Sequence, residues 1–248
     1  MYETILVEKK NRVATVTFNR PDKMNSITPQ LQRELIQVLD ELAADEDVRV
    51  VVLTGAGRAF CTGFDVSAVL ATPEHPPMDD VVRMVAYDKP IIAAVNGYAL
   101  ANGFQLALAC DIIVASEKAV FGAIGTRIGG MCNYAVFALP RVVGRSKAAE
   151  MLFTSDHISG DEAFRIGLAA KVVPPEQLME AAWEIADRIS NRAPLSLKYT
   201  RQALRKGEFD EETVDWVKKV SEMMRATDDF KEGFTAVVEK REPVFKGR

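Results

Sequence analysis

Apolar and polar positions alternate with a two-residue period over residues 4–8 and again over Val13–Phe18, with the polar run Lys9-Lys10-Asn11-Arg12 between them. This pattern predicts a β-hairpin. The period then lengthens. After Thr28-Pro29, the residues Leu31, Leu35, Val38, Leu39 and Leu42 fall on one face of a helix, with Thr28 as N-cap and Pro29 in the first helical position. Residues 48–54 are almost continuously apolar, as expected of a strand covered on both faces. Strand, helix and strand follow again at Ile91–Val95, residues 101–109 and residues 112–115. The fold class this predicts is α/β.

Residues 65–89 turn polar, with a surface loop expected at 72–77 (Thr72, Pro73, Glu74, His75, Pro76, Pro77) and a short helix at 79–87. Beyond Phe121 the chain passes Gly122, Gly125, Gly129 and Gly130, which implies tight backbone packing or approach to a ligand. An apolar run follows at 134–143. From Ser146 onward the pattern is helical: 159–166 ended by Gly167, then 175–192, 195–205, 211–225 and 228–240. A composition shift near Pro194 divides an α/β core, residues 1–193, from a helical C-terminal region, residues 194–248. No internal repeat and no low-complexity tract is visible.

Composition narrows the chemistry. At 248 residues the chain can bury a sizeable core, and 31 basic against 35 acidic side chains, interspersed, leave no footprint for nucleic acid. No apolar run approaches membrane-spanning length, and the N-terminus reads as a strand rather than a signal sequence, so a cytoplasmic protein is expected. Cys61, Cys110 and Cys132 form no CxxC pair, and His75 and His157 are isolated. Reduced thiols and no metal site are the expectation. With no G-x-S-x-G, a Ser-His-Asp triad is not indicated either.

Two stretches carry the candidate chemistry. In each, a strand breaks at small residues: residues 48–54 run into GAGRAFCTGFDV, and Ile91–Val95 runs into NGYALANGFQLALACD. The second break precedes a helix, whose first N–H groups have no intrahelical partner and carry the positive end of the macrodipole. Two such breaks suggest two backbone donors converging on one oxyanion.

GAGRAFCTGFDV together with AAVNGYALANGFQLALACDIIVAS resembles the paired signature of the enoyl-CoA hydratase/isomerase (crotonase) superfamily. RPDKMNSIT and DFKEGFTAVVEKREPVFKGR resemble its N- and C-terminal landmarks, so the likeness covers nearly the whole chain. The resemblance implies a spiral of ββα units with a helical C-terminal region, and a CoA thioester as ligand, with no tightly bound cofactor. It implies that the thioester carbonyl is held by the backbone N–H groups of Phe64 and Asn102. It also implies that CoA lies along Lys23, Met24 and Asn25 and along Thr62, Phe64, Asp65 and Val66. Arg20, Lys23 and Arg58 could reach phosphates, although a surface cation is more often solvated. Homotrimers or dimers of trimers are implied, with the terminal helix in subunit contacts through Phe230, Phe234, Val237 and Val238.

The chain departs from the family at Gln105 and Gly125, where hydratases place two glutamates, and at Asn102, where glycine is usual. Neither Gln nor Gly exchanges a proton near neutral pH. The remaining candidates are Arg127 for a substrate carboxylate or carbonyl, Cys132 and Tyr134. Each has a plainer reading: a surface ion pair, a buried thiol and a core tyrosine with its hydroxyl tied off. Two functions stay open. One is an enzyme working through an enolate, shifted toward decarboxylation, isomerisation or hydrolysis; the other is a non-catalytic acyl-CoA-binding protein that keeps the two N–H donors.

Overall fold

A computed structural model of the chain describes residues 2–71, 79–206 and 211–248; the loop expected at 72–77 lies outside them. The chain opens with the hairpin. Strands β1 (Ile5–Lys10) and β2 (Val13–Phe18) pair antiparallel, and Asn11 and Arg12 hold φ of 48° and 64°. A two-residue loop with both residues left-handed matches the twist of its flanking strands. Helix α1 (Pro29–Ala44) begins as its N-terminal residues dictate, with Thr28 Oγ1 accepting the Leu31 N–H at 3.2 Å. Its apolar face, Leu31, Leu35, Val38, Leu39 and Leu42, is buried.

Three ββα units follow. The first is β3 (Val50–Gly55), β4 (Ala59–Cys61) and the helices α2 (Val66–Ala71) and α3 (Asp79–Val85). The second is β5 (Ile91–Val95), β6 (Tyr98–Leu100) and α4 (Asn102–Ala109). The third is β7 (Ile112–Ser116), β8 (Val120–Gly122) and the pair α5 (Ala135–Val143) and α6 (Arg145–Thr154). Strand β9 (Ile158–Ser159), helix α7 (Gly160–Arg165), strand β10 (Lys171–Val173) and helix α8 (Leu178–Ser190) complete the core. Helices α9 (Pro194–Lys206), α10 (Glu211–Arg225) and α11 (Asp228–Glu239) form the helical C-terminal region.

The first strand of each unit joins one sheet, ordered β1-β2-β3-β5-β7-β10, and the second joins another, ordered β4-β6-β8-β9. This is the ββα spiral that the motifs imply. Periodicity predicts none of β4, β6 and β8, because three residues hold too little of a period to stand out. It predicts neither β10 nor α2, which are also short.

The large sheet is buried on both faces, which explains its unbroken apolar strands. Val50, Val52, Ile92, Ala94 and Val114 face α8, where Ala181, Ala182 and Ala186 let the helix approach closely. The alternate residues, among them Val51, Leu53, Ala93 and Val95, pack into the main core with α1 and α4. An edge-to-face contact between Phe104 of α4 and Phe121 of β8, centroids 6.1 Å apart, fixes that helix against the small sheet. Among the described residues no helix is long and apolar enough to cross a membrane.

What this arrangement places is the pair of strand ends. β4 and β6 run parallel, with Cys61 opposite Ala99, so the segments that follow them leave side by side. They leave almost no gap. A Cβ on Gly97 would lie 2.1 Å from the Arg58 carbonyl oxygen, and one on Gly103 would lie 2.0 Å from that of Cys61. Gly103→Ala therefore forces backbone apart, an overpacking that costs about 1–3 kcal/mol and lowers Tm by about 3–10 °C. A thermal melt of this variant coinciding with the parent would contradict the close approach.

Candidate active site

The Phe64 N–H is aimed by its neighbours. Ile27 forms an isolated parallel bridge with Phe64: the Ile27 N–H donates to the Gly63 carbonyl and the Asp65 N–H donates to the Ile27 carbonyl, both at 2.8 Å. Successive N–H groups of an extended strand point to opposite sides. The Phe64 N–H thus faces away from Ile27, and no acceptor for it is found among the described residues. Gly63 lies beside Asn102: a Cβ there would sit 3.2 Å from the Asn102 nitrogen and 2.7 Å from the Ala101 Cβ. Gly63 also has φ of +93°, open to glycine at little cost.

Asn102 is the first residue of α4, and its N–H likewise has no acceptor among the described residues. Ala101, the N-cap, has φ 49° and ψ −120°, a strained backbone for a residue with a Cβ, of the kind that costs about 1–3 kcal/mol. It is held by its own N–H, which donates to Gly122 at 3.0 Å, and by its carbonyl, which accepts the Gln105 N–H at 3.2 Å. Strain and an unused donor thus coincide at residues 101 and 102.

The Asn102 side chain differs from expectation. A side chain at this position would be expected to crowd a bound thioester; instead it turns inward, 2% exposed, and Nδ2 donates to Asp80 Oδ2 at 2.9 Å. Its Oδ1 accepts from Gln105 Nε2 at 3.1 Å. Gln105 is also buried, and its Oε1 accepts the N–H groups of Tyr134 at 2.7 Å and Ala135 at 3.3 Å, capping α5. Protein groups thus engage the Gln105 amide at both its oxygen and its nitrogen.

Asp80, near the start of α3, is fully buried. Its Oδ1 accepts the Val81 N–H at 2.8 Å, and the Gln32 side chain hydrogen-bonds to the same carboxyl. Burial pushes this carboxyl above its usual range, and those hydrogen bonds only partly offset the shift. No local pattern marks this contact: Asp79-Asp80 before an apolar run reads as ordinary acidic residues in a helix's first turn.

The two stretches expected along CoA are adjacent. Thr62 Oγ1 donates to the Met24 carbonyl at 3.2 Å, and Asn25 Nδ2 donates to the carbonyls of Ala56 at 2.9 Å and Ala59 at 2.7 Å. Met24 and Asn25 both hold left-handed backbone angles. Asn25 is wholly buried and acts as a clamp between loops. Asp65 caps α2 through the Ser67 and Ala68 N–H groups. Burial, the largest influence on its carboxyl, would raise it, but hydrogen bonds from Ser26, Arg20 and Ala68 together hold it below the usual range. Arg20 is engaged by Ser26 and by Asp65 at 3.2 Å; Lys23 is exposed, and the exposed Arg58 donates from Nε to Met24 Sδ at 2.8 Å. Val66 is 71% exposed.

Arg127, Cys132 and Tyr134 lie in the segment between β8 and the start of α5, in different surroundings. Arg127 is exposed in the short turn Thr126–Ile128. Cys132 is 5% exposed, and burial pushes its thiol up, against the usual requirement for a reactive thiolate. The Tyr134 hydroxyl accepts from Arg205 Nη1 at 3.3 Å, and Arg205 Nη2 bonds the Ala109 carbonyl at 2.6 Å. That is the far end of α4, about 10 Å along the helix from Asn102. Arg201 reaches from the same α9 face to Asp111 at 2.8 Å and to the Met84 carbonyl at 2.8 Å. At Gly125 the backbone is ordinary, φ −57°, but a Cβ would lie 2.9 Å from the Cys132 nitrogen. The obstacle to a side chain there is crowding by backbone.

These features define an α/β protein built as a ββα spiral, in which the Phe64 and Asn102 N–H groups, where neighbouring strands end, have no acceptor among the described residues. Comparison with known proteins extends this: residues 8–248 match the enoyl-CoA hydratase/isomerase family. The chain is 38% identical to the (E)-benzylidenesuccinyl-CoA hydratase of Thauera aromatica, covering 98% of this chain and 99% of that one. It is 36% identical to the short-chain-enoyl-CoA hydratase of Clostridium acetobutylicum, over 96% and 95%. The solved enoyl-CoA hydratase of Bacillus anthracis superposes with a TM-score of 0.92 at 33% identity, over 99% of this chain and 100% of that one. The protein belongs to the enoyl-CoA hydratase/isomerase family, and is an enzyme of the lyase or isomerase class.

Proposed function

We propose that the protein binds an acyl-CoA thioester with the carbonyl oxygen between the N–H groups of Phe64 and Asn102, and stabilises the enolate that forms when charge moves onto that oxygen. The observation that carries this reading is the pair of donors without acceptors on adjacent strand ends, one beside the strained Ala101. Donors fixed in advance need no reorganisation, and each is worth about 3–4 kcal/mol in the transition state. The relatives named above are hydratases of CoA thioesters, which supports the ligand class. CoA would lie along residues 23–25 and 62–66, with Lys23 and Arg58 toward its phosphates.

Water addition by two carboxylates is not the chemistry these residues support. The Gln105 amide is engaged by Asn102, Tyr134 and Ala135, and Gly125 offers no group. Loss of CO2 from a 2-carboxyacyl thioester fits better: the carbon–carbon bond breaks, its electron pair passes to the thioester oxygen as enolate with no base needed, and water then protonates the carbon. In this reading the exposed Arg127 pairs with the substrate carboxylate.

The family's assembly as a homotrimer or dimer of trimers extends to this chain in the same reading. Phe137, Phe153 and Phe164 are 70%, 78% and 52% exposed, and Phe234 on α11 is 64% exposed. Apolar rings in such number on one chain favour contact with other copies. Phe230 is 37% exposed, and the side chains of Val237 and Val238 lie outside the described residues.

Two measurements check this. Butyryl-CoA should bind about tenfold or more tightly than its thioether analogue, which lacks the carbonyl, while crotonyl-CoA is hydrated far below a typical turnover of ~10 per second. Equal binding of thioester and thioether removes the donor-pair reading; hydration near that turnover shows that another residue carries the proton. Light scattering at micromolar concentration should give three or six copies, and a monomer would overturn the assembly.

A further inference from the structure

The hydrogen bonds joining residues 80, 102, 105 and 134 have a direction that cannot be reversed one link at a time. At one end stand the backbone N–H groups of Tyr134 and Ala135, which can only donate, so Gln105 must present Oε1 to them and Nε2 to Asn102. Asn102 must then present Oδ1 to Gln105 and Nδ2 to Asp80. At the other end the Asp80 carboxyl accepts, from Asn102 and the Val81 N–H, and it also bonds the Gln32 side chain. Each amide is oriented by its two fixed neighbours, and the middle residue, Asn102, is the one whose own N–H faces the site.

We infer that Asp80 is a positioning residue for the thioester site: acting through the Asn102 side chain, it fixes the first turn of α4 and so the aim of the Asn102 N–H, with Gln105 as the matched partner on the other side. This rests on the donor-pair reading above. It also accounts for both family departures on α4 together. Asn at 102 needs an acceptor on one side and a donor on the other, and a glutamate at 105 would supply a second acceptor instead.

Single substitutions break the chain in predictable ways. In Asp80→Asn one oxygen must serve two donors on different sides, Val81 and Asn102, so one N–H is left facing nitrogen. In Gln105→Glu the Asn102 amide stands between two carboxyls and can donate to only one. The double variant restores the links running from residue 80 through residues 102 and 105 to residues 134 and 135 in the opposite sense. The carboxylate introduced at position 105 accepts from Tyr134, Ala135 and a turned Asn102 amide. The Asn102 oxygen then accepts from the amide nitrogen introduced at position 80, and the amide oxygen at that position keeps the Val81 N–H.

The test is a cycle of four proteins, wild type, D80N, Q105E and the double variant, each titrated with butyryl-CoA and its thioether analogue and each melted thermally. Each single substitution is expected to lower the preference for thioester over thioether by about tenfold or more, and the double variant to recover it to within about threefold. A merely structural role would weaken both ligands alike. If a single variant does not fold, the double variant alone decides: recovery of folding and of the preference supports the inference. Additive losses, or D80N with an unchanged preference, overturn it. Wild type without any preference sinks the donor-pair reading instead. The melts then judge the chain, and a double variant no more stable than the worse single would end it.

Discussion

The site depends on the closeness with which the ends of β4 and β6 run beside each other. Gly63, Gly97 and Gly103 lie where a Cβ would meet neighbouring backbone or the Ala101 side chain at 2.0–2.7 Å, so two main chains touch with nothing between them. That proximity sets the segment at Gly63 and Phe64 beside Asn102, where a Cβ on Gly63 would lie 3.2 Å from the Asn102 nitrogen. A backbone N–H without an acceptor is costly to bury, and Ala101 adds strain next to it. The rest of the fold supports this local cost: both faces of the large sheet are covered, and Phe104 locks α4 against β8.

The same closeness explains why side chains around the donors matter through geometry rather than through charge. Asn102 and Gln105 are buried, and their amides bond Asp80, each other and the first turn of α5. Helices α3, α4 and α5 are thereby held in one hydrogen-bonded set. From α9, Arg201 bonds the end of α3, and Arg205 bonds the end of α4 and the Tyr134 hydroxyl. The site's framework is thus tied at both ends of α4.

Much of this was legible in the sequence. The hairpin, α1 with its Thr28 cap and the apolar strands follow from local period and turn residues, and the glycine-bearing signatures mark both strand ends. The short strands β4, β6 and β8 were not legible, because the contacts that define them come from other units of the spiral. At the site, the positions of Phe64 and Asn102 follow from motif and helix start. The orientation of the Asn102 side chain does not, since its acceptor is Asp80, 22 residues earlier in the chain. The Tyr134 hydroxyl was open between site and core; its partner Arg205 lies 71 residues away, beyond any local pattern.

A thioester carbonyl held by two backbone donors is polarised, and the most direct measurement of that state is isotope-edited infrared spectroscopy of butyryl-CoA labelled with 13C at the thioester carbon. Two donors on the oxygen weaken the bond and move its stretch to lower frequency on binding. A single band, shifted down from its frequency in water, is the predicted result for the bound thioester. A bound band at the frequency found in water, or one shifted upward, would contradict the donor pair.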